Sequence, residues 1–134
     1  MLALGAMLLV VPASAASLVA RIDLSEQRMQ VFVDGFPRYS WAVSTARPGY
    51  RTPVGAFRAQ RLEATWFSRK YDNSPMPHSI FFLGGFAIHG TEYVKRLGTP
   101  ASHGCVRLHP DNAATLFSLV REYGAGSTQI VVSQ

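Results

Sequence analysis

The chain carries one cysteine, Cys105, in the stretch PASHGCVRLHP, directly after His103 and Gly104. A thiol becomes a nucleophile when its surroundings favour the thiolate, commonly through an imidazole whose second nitrogen is held by a third group. Four histidines are available: His78, His89, His103 and His109. On an extended strand His103 would point to the same side as Cys105, at about 7 Å. His89 ends the apolar run FAIH, and a neighbouring strand can set it directly opposite Cys105, which makes it the stronger candidate for the base. Gly104 lets the backbone approach a substrate closely and frees the Cys105 N–H to face a developing oxyanion. At Gly90 a backbone carbonyl can accept the other His89 N–H and fix the tautomer, the work an aspartate does in a catalytic triad.

Other chemistry competes for these residues. Cysteine is among the most buried residue types and is usually inert, and a histidine near a strand end is usually packed or solvated. A metal site built from His89, His103 and Cys105 matches no standard zinc spacing and has no evident fourth ligand, so neither a metal nor a cofactor is expected. A structural disulfide within the chain needs a second thiol, which the sequence lacks. An inert thiol, an intermolecular bridge and a nucleophile remain.

At 134 residues, 48% hydrophobic and 16% charged, the chain has the composition of one ordinary globular domain. Its first twenty residues hold no charge, and the apolar run Met1 to Val11 is followed by Pro12 and Ala13-Ser14-Ala15. Residues 1–15 read as a signal peptide with a small-residue cleavage site after Ala15. The missing basic stretch before the run makes this signal atypical or truncated, and a retained membrane anchor is the rival reading. Export is the expectation, with no stable membrane span after cleavage. A net charge of +5 favours anionic partners without naming them. No Lys/Arg run marks a nucleic-acid patch, so nucleic acid is not an expected partner.

Around these groups, VARIDL and RMQVFVDG read as two strands of a hairpin, and RYSWAVST as a third after the Asp34-Gly35 turn. A two-residue turn would set Val31 opposite Arg38. A longer turn or a bulge would instead oppose Val31 to Tyr39 and Met29 to Trp41, joining the apolar sides. Further on, AFRAQR reads as one strand, and EATWFSRKYDNSPMPH as a long loop of the kind that often binds ligands. SIFFLGG, FAIHG, GCVRL and TQIVV give short strands. DNAATLFSLVREYG changes to helical period with Ala113, Leu116, Phe117 and Val120 on one face, Asp111 as N-cap and Gly124 as the stop. The class is mainly β: a small β-sandwich or partly closed barrel of mixed strands with one α-helix packed at the side.

AIHGT followed by SHGCVRL resembles the signature of the L,D-transpeptidase catalytic domain, the YkuD family. STARPGYRTPVGAF and MPHSIFFLGGFAIHG resemble the family's segments before and into the histidine, so the likeness spans residues 16–134. It implies a cysteine acyltransferase that cuts the bond between the L-centre of a diamino acid and D-alanine in a peptidoglycan stem, forms a thioester and passes the acyl group to an amine. A 3→3 cross-link or a lipoprotein amine product is implied, in the periplasm or cell wall. The resemblance makes Cys105 the nucleophile, His89 the base and Gly90 its orienting carbonyl. It places His103 in the oxyanion region with the Cys105 and Gly104 N–H groups, Ser102 holding the loop, and Arg107 facing donor carboxylates. Trp66 is the expected wall of the donor groove. An L,D-carboxypeptidase or hydrolase using water, and a non-catalytic wall-binding module, are the alternatives.

Overall fold

In β1 (Leu18–Asp23), Leu18, Ala20 and Ile22 alternate with more exposed residues, which turns one apolar face inward. It pairs antiparallel with β2 (Arg28–Val33), and β2 with β3 (Phe36–Ala42). This computed structural model describes residues 17–134; the segment read as a signal peptide lies outside the described residues. The β2–β3 turn is the two-residue Asp34-Gly35, with φ of 49° and 84°, the positive values that a tight hairpin turn requires. A bulge after Val31 then absorbs Arg38 and restores Val31 opposite Tyr39 and Met29 opposite Trp41. Of the two ways to satisfy the apolar parity, the chain uses the bulge.

The segment AFRAQR, expected as one strand, is divided between β4 (Gly55–Arg58) and β5 (Arg61–Glu63) in different sheets. Ala59 N–H donates to Thr128 O in one sheet and Gln60 N–H to Phe81 O in the other, so these two residues make the crossing. The remaining strands are β6 (Ser79–Leu83), β7 (Phe86–Gly90), β8 (Val106–Leu108) and β9 (Thr128–Ser133). One sheet has the order β3-β2-β1-β9-β4 and the other β5-β6-β7-β8, each mixed through one parallel pair, β1–β9 and β7–β8. Ile22, Val31 and Ile130 of the first sheet share a core with Phe82, Ile88 and Leu108 of the second. The fold is therefore the expected mainly β arrangement of two sheets, and neither sheet closes into a barrel among the described residues.

The helix α1 (Pro110–Tyr123) packs along β7 and touches β1 and β6, burying Ala113, Leu116, Phe117 and Val120 as its period predicts. Its N-cap is His109 rather than Asp111. The imidazole Nδ1 accepts the Asp111 N–H at 3.1 Å, and Pro110 takes the first helical position, where a missing donor is harmless. Helix and strand approach closely at Gly90: a Cβ there would lie 3.2 Å from Pro77 and 3.3 Å from the Pro110 backbone.

Residues 43–47 strap the sheets together beside the motif loop. Ser44 and Arg107 exchange backbone hydrogen bonds of 3.0 and 2.8 Å, Thr45 O accepts from Ala101 and Ser102, and Arg47 N–H donates to Ser102 O. Buried Gln27 anchors this strap from the first sheet: its Oε1 accepts the Thr45 N–H at 2.9 Å, and its Nε2 donates to Thr45 Oγ1 and Leu24 O. Gln27→Ala leaves the Thr45 N–H buried without its partner, and should lower stability by about 1–3 kcal/mol. A urea midpoint that does not fall would show the strap to be held otherwise.

Candidate active site

Alternation along β7 and β8 sorts their side chains between two environments. Ile88, Val106 and Leu108 enter the main core, whereas Ala87 joins Met76 and Phe81 in a second cluster against which Cys105 and Trp66 pack. By the same period-2 rule His89 and Arg107 turn to the side of Ala87 and Cys105. On that side lies a cavity of about 300 Å³ roofed by the loop between β5 and β6; His89, Cys105, Arg107, Ser102, His103 and Trp66 line it. Parallel register pairs His89 with Arg107, so Cys105, one residue before β8, lies diagonal to His89 rather than directly opposite as expected. Its thiol points to Gly85 O at 3.8 Å.

His89 is buried, with 5% of its surface exposed. Its Nδ1 lies 2.7 Å from Gly90 O; a carbonyl only accepts, so Nδ1 carries the proton and Nε2 keeps its lone pair. Burial pushes the His89 pKa down to about 4, against the Gly90 carbonyl, which raises it, and with Arg107, which lowers it further. Burial also pushes the Cys105 thiol up, opposed by the Ala87 backbone and the Arg107 guanidinium. The pair is therefore neutral on both sides near pH 7, an imidazole beside a thiol.

The motif loop is held from within. Ser102 Oγ donates to Cys105 O at 2.6 Å and accepts the Gly104 N–H at 3.0 Å. Expected to face the oxyanion, the Gly104 N–H is instead committed to Ser102, which leaves Cys105 N–H and the His103 ring for that place. Thr52 Oγ1 donates to Gly104 O at 2.8 Å and accepts the Ala46 N–H. Only glycine fits at 104: φ is 139°, and a Cβ would stand 2.7 Å from the Phe86 ring and 2.9 Å from Arg51 O.

His103 stacks on Tyr71, ring centroids 4.1 Å apart, and meets Tyr50 edge-on. Arg47 Nη2 lies 2.9 Å from its Nε2; since a guanidinium only donates, the ring is neutral with its proton on Nδ1. Desolvation, then Arg47, Arg107 and Lys70, lower its pKa. Arg107 donates to Ala101 O at 3.3 Å and sits 5.8 Å over the Tyr93 ring. Sequence reasoning missed Gln27, Arg47, Tyr50, Thr52 and Tyr71, whose partners Thr45, His103 and Gly104 lie 18 or more residues away along the chain.

The family model described as the L,D-transpeptidase catalytic domain, YkuD, matches residues 17–132. Among solved structures, the fold is similar to the L,D-transpeptidase from Mycobacterium smegmatis, at 25% identity and a TM-score of 0.77 over 90% of this chain and 60% of that one. The L,D-transpeptidase from Stackebrandtia nassauensis is similar at 28% identity and 0.77, over 88% and 56%. That from Xylanimonas cellulosilytica is similar at 25% identity and 0.77, over 91% and 63%. The chain thus spans less than two thirds of the length of these proteins. No curated protein matches it as a relative.

Two outcomes follow from the site's packing. His89 has a folded pKa of about 4 against 6.5 when unfolded, so its contribution to stability is complete above pH 6.5 and is lost as pH falls through 6.5 towards 4, by about 3 kcal/mol. Urea midpoints of the wild type should fall between pH 7 and 4 by correspondingly more than those of His89→Gln; equal falls would mean that His89 is not held neutral. Gly104→Ala should destabilise by about 2 kcal/mol or more, and an unchanged thermal midpoint would contradict the close contact with Phe86.

Proposed function

Because the chain belongs to the YkuD family of L,D-transpeptidase catalytic domains, we propose that it is a cysteine acyltransferase acting on peptidoglycan stem peptides. The observation that carries this reading is a buried imidazole, tautomer fixed by Gly90 O, facing the same cavity as the one thiol. Cys105 Sγ attacks the carbonyl between the L-centre of the third stem residue and D-alanine, while its proton passes to His89 Nε2. Cys105 N–H and the His103 ring receive the oxyanion. Collapse forms the thioester, and the proton on His89 goes to the departing D-alanine amine. An incoming amine then loses a proton to His89 and takes the acyl group, and His89 returns that proton to the departing Cys105 sulfur.

A neutral resting pair fits this order of events. Proton transfer accompanies carbon–sulfur bond formation, so no buried charge has to persist before substrate arrives. Arg107 would face a donor carboxylate, and Trp66 would wall the groove. The active unit is residues 16–134, and the sequence before it would direct the protein to the periplasm or cell wall.

Intact mass after mixing with a stem tetrapeptide should show Cys105 acylated with loss of D-alanine. Cys105→Ala should show none; an adduct on that variant would overturn the assignment. His89→Gln should slow acylation by about 10²–10⁴-fold. Products with and without an added amine separate transfer from hydrolysis: an amide product supports the transpeptidase, and free acid alone under both conditions supports the carboxypeptidase.

A further inference from the structure

In the lining of the cavity, Arg61 lies against two aromatic rings at once. Its guanidinium carbon is 4.1 Å from the Phe81 ring centroid and 4.7 Å from that of Trp66. Trp66 and Phe81 meet edge to face at 5.6 Å, and Arg69 sits 5.6 Å from the same indole. These rings pack in the cluster that also supports Cys105, so the two guanidiniums stand one layer of side chains from the thiol.

Contact with these two rings, whose planes stand 79° apart, packs the Arg61 guanidinium in their corner without using its N–H groups. Its one ion pair is a long contact of Nε with Glu63, at 3.9 Å, and its side chain keeps 48% of its surface exposed. Among the described residues its terminal N–H groups make no hydrogen bond, and Arg61 lines the cavity, which leaves a planar fork of donors able to grip a carboxylate through two parallel hydrogen bonds. Charge in the cavity points the same way. Arg61, Arg69, Lys70 and Arg107 line it against one carboxylate, Glu92, and such a set repels itself until an anion enters.

We propose that Arg61, packed against Phe81 and Trp66, forms with Arg69 a carboxylate-reading subsite that makes the protein select stem peptides bearing a free carboxylate over the same peptides amidated there. This rests on the acyl-transfer reading above and adds the substrate's charge state to it. An amide in that place keeps one acceptor oxygen but loses the charge and sets an NH2 donor against a guanidinium donor, so one of the two parallel hydrogen bonds cannot form.

The test uses three tetrapeptides: the free acid, one amidated at the carboxylate of the third residue, and one amidated at that of the second. Rates of Cys105 acylation are read by intact mass on the full chain, in wild type, Arg61→Gln and Arg69→Gln. The wild type should acylate with the free acid at least tenfold faster than with one of the amides, and that amide identifies the carboxylate being read. Arg61→Gln should bring the ratio to within about threefold of one, and Arg69→Gln should lower it partway. A wild-type ratio near one with both amides, or a ratio that Arg61→Gln leaves intact, overturns the subsite. Acylation of the wild type by a carbapenem tests the thiol separately. If carbapenem and peptides all fail to acylate it, the acyl-transfer reading falls together with the subsite; if acylation proceeds without preference, the subsite alone falls.

Discussion

Parallel pairing of β7 with β8 is the constraint on which the rest of the structure depends. Parallel neighbours cannot be joined by a tight turn, so the chain must leave β7 at Gly90 and return through the long segment that ends in Ser102, His103, Gly104 and Cys105. The register then fixes which side chains share a face: His89 with Arg107 opposite it, and Cys105, two residues before Arg107, diagonal to His89. β8 is only three residues long, Val106–Leu108, and the strap at Ser44 supplies the hydrogen bonds its free edge would otherwise lack. Gln27, Thr45 and Thr52 therefore belong to the site although none of them lines the cavity. They hold the return path of the chain, and so the direction in which the thiol points.

Burial does most of the electrostatic work. It lowers His89 and raises Cys105, in each case disfavouring the charged form. Arg107 acts on both in one sense: it favours the thiolate and disfavours the imidazolium. The Cys105 thiol thus stays protonated and the His89 imidazole unprotonated over a wide pH range. At the rim, Arg61 and Arg69 beside Trp66 and Lys70 beside Tyr71 bring positive charge to the cavity lining.

Much of this was legible in the sequence because it depends on local pattern. Period 2 and the Asp34-Gly35 turn together demanded a correction of parity, which the bulge at Arg38 supplies. Period 3.6 located the buried face of α1. Other features depend on distant partners and left no pattern to read. AFRAQR is one apolar-alternating run, yet Ala59 and Gln60 find partners in different sheets and divide it. Asp111 looked like the cap because it precedes the helical period, but Pro110 is already compatible with helix and passes the capping position back to His109. The family resemblance put the Gly104 N–H at the oxyanion, whereas Ser102 folds back over two residues to take it.

With a single cysteine, thiolate absorbance near 240 nm tests the central claim most directly: that Cys105 and His89 rest as a neutral pair and exchange a proton only as the acyl bond forms. Titration of the protein, with Cys105→Ser subtracted, should show no thiolate signal at pH 7 and a rise only above the ordinary thiol range, as the raised Cys105 requires. A signal already complete at pH 7, disappearing only under acid, would mean a preformed thiolate–imidazolium pair and would contradict the account.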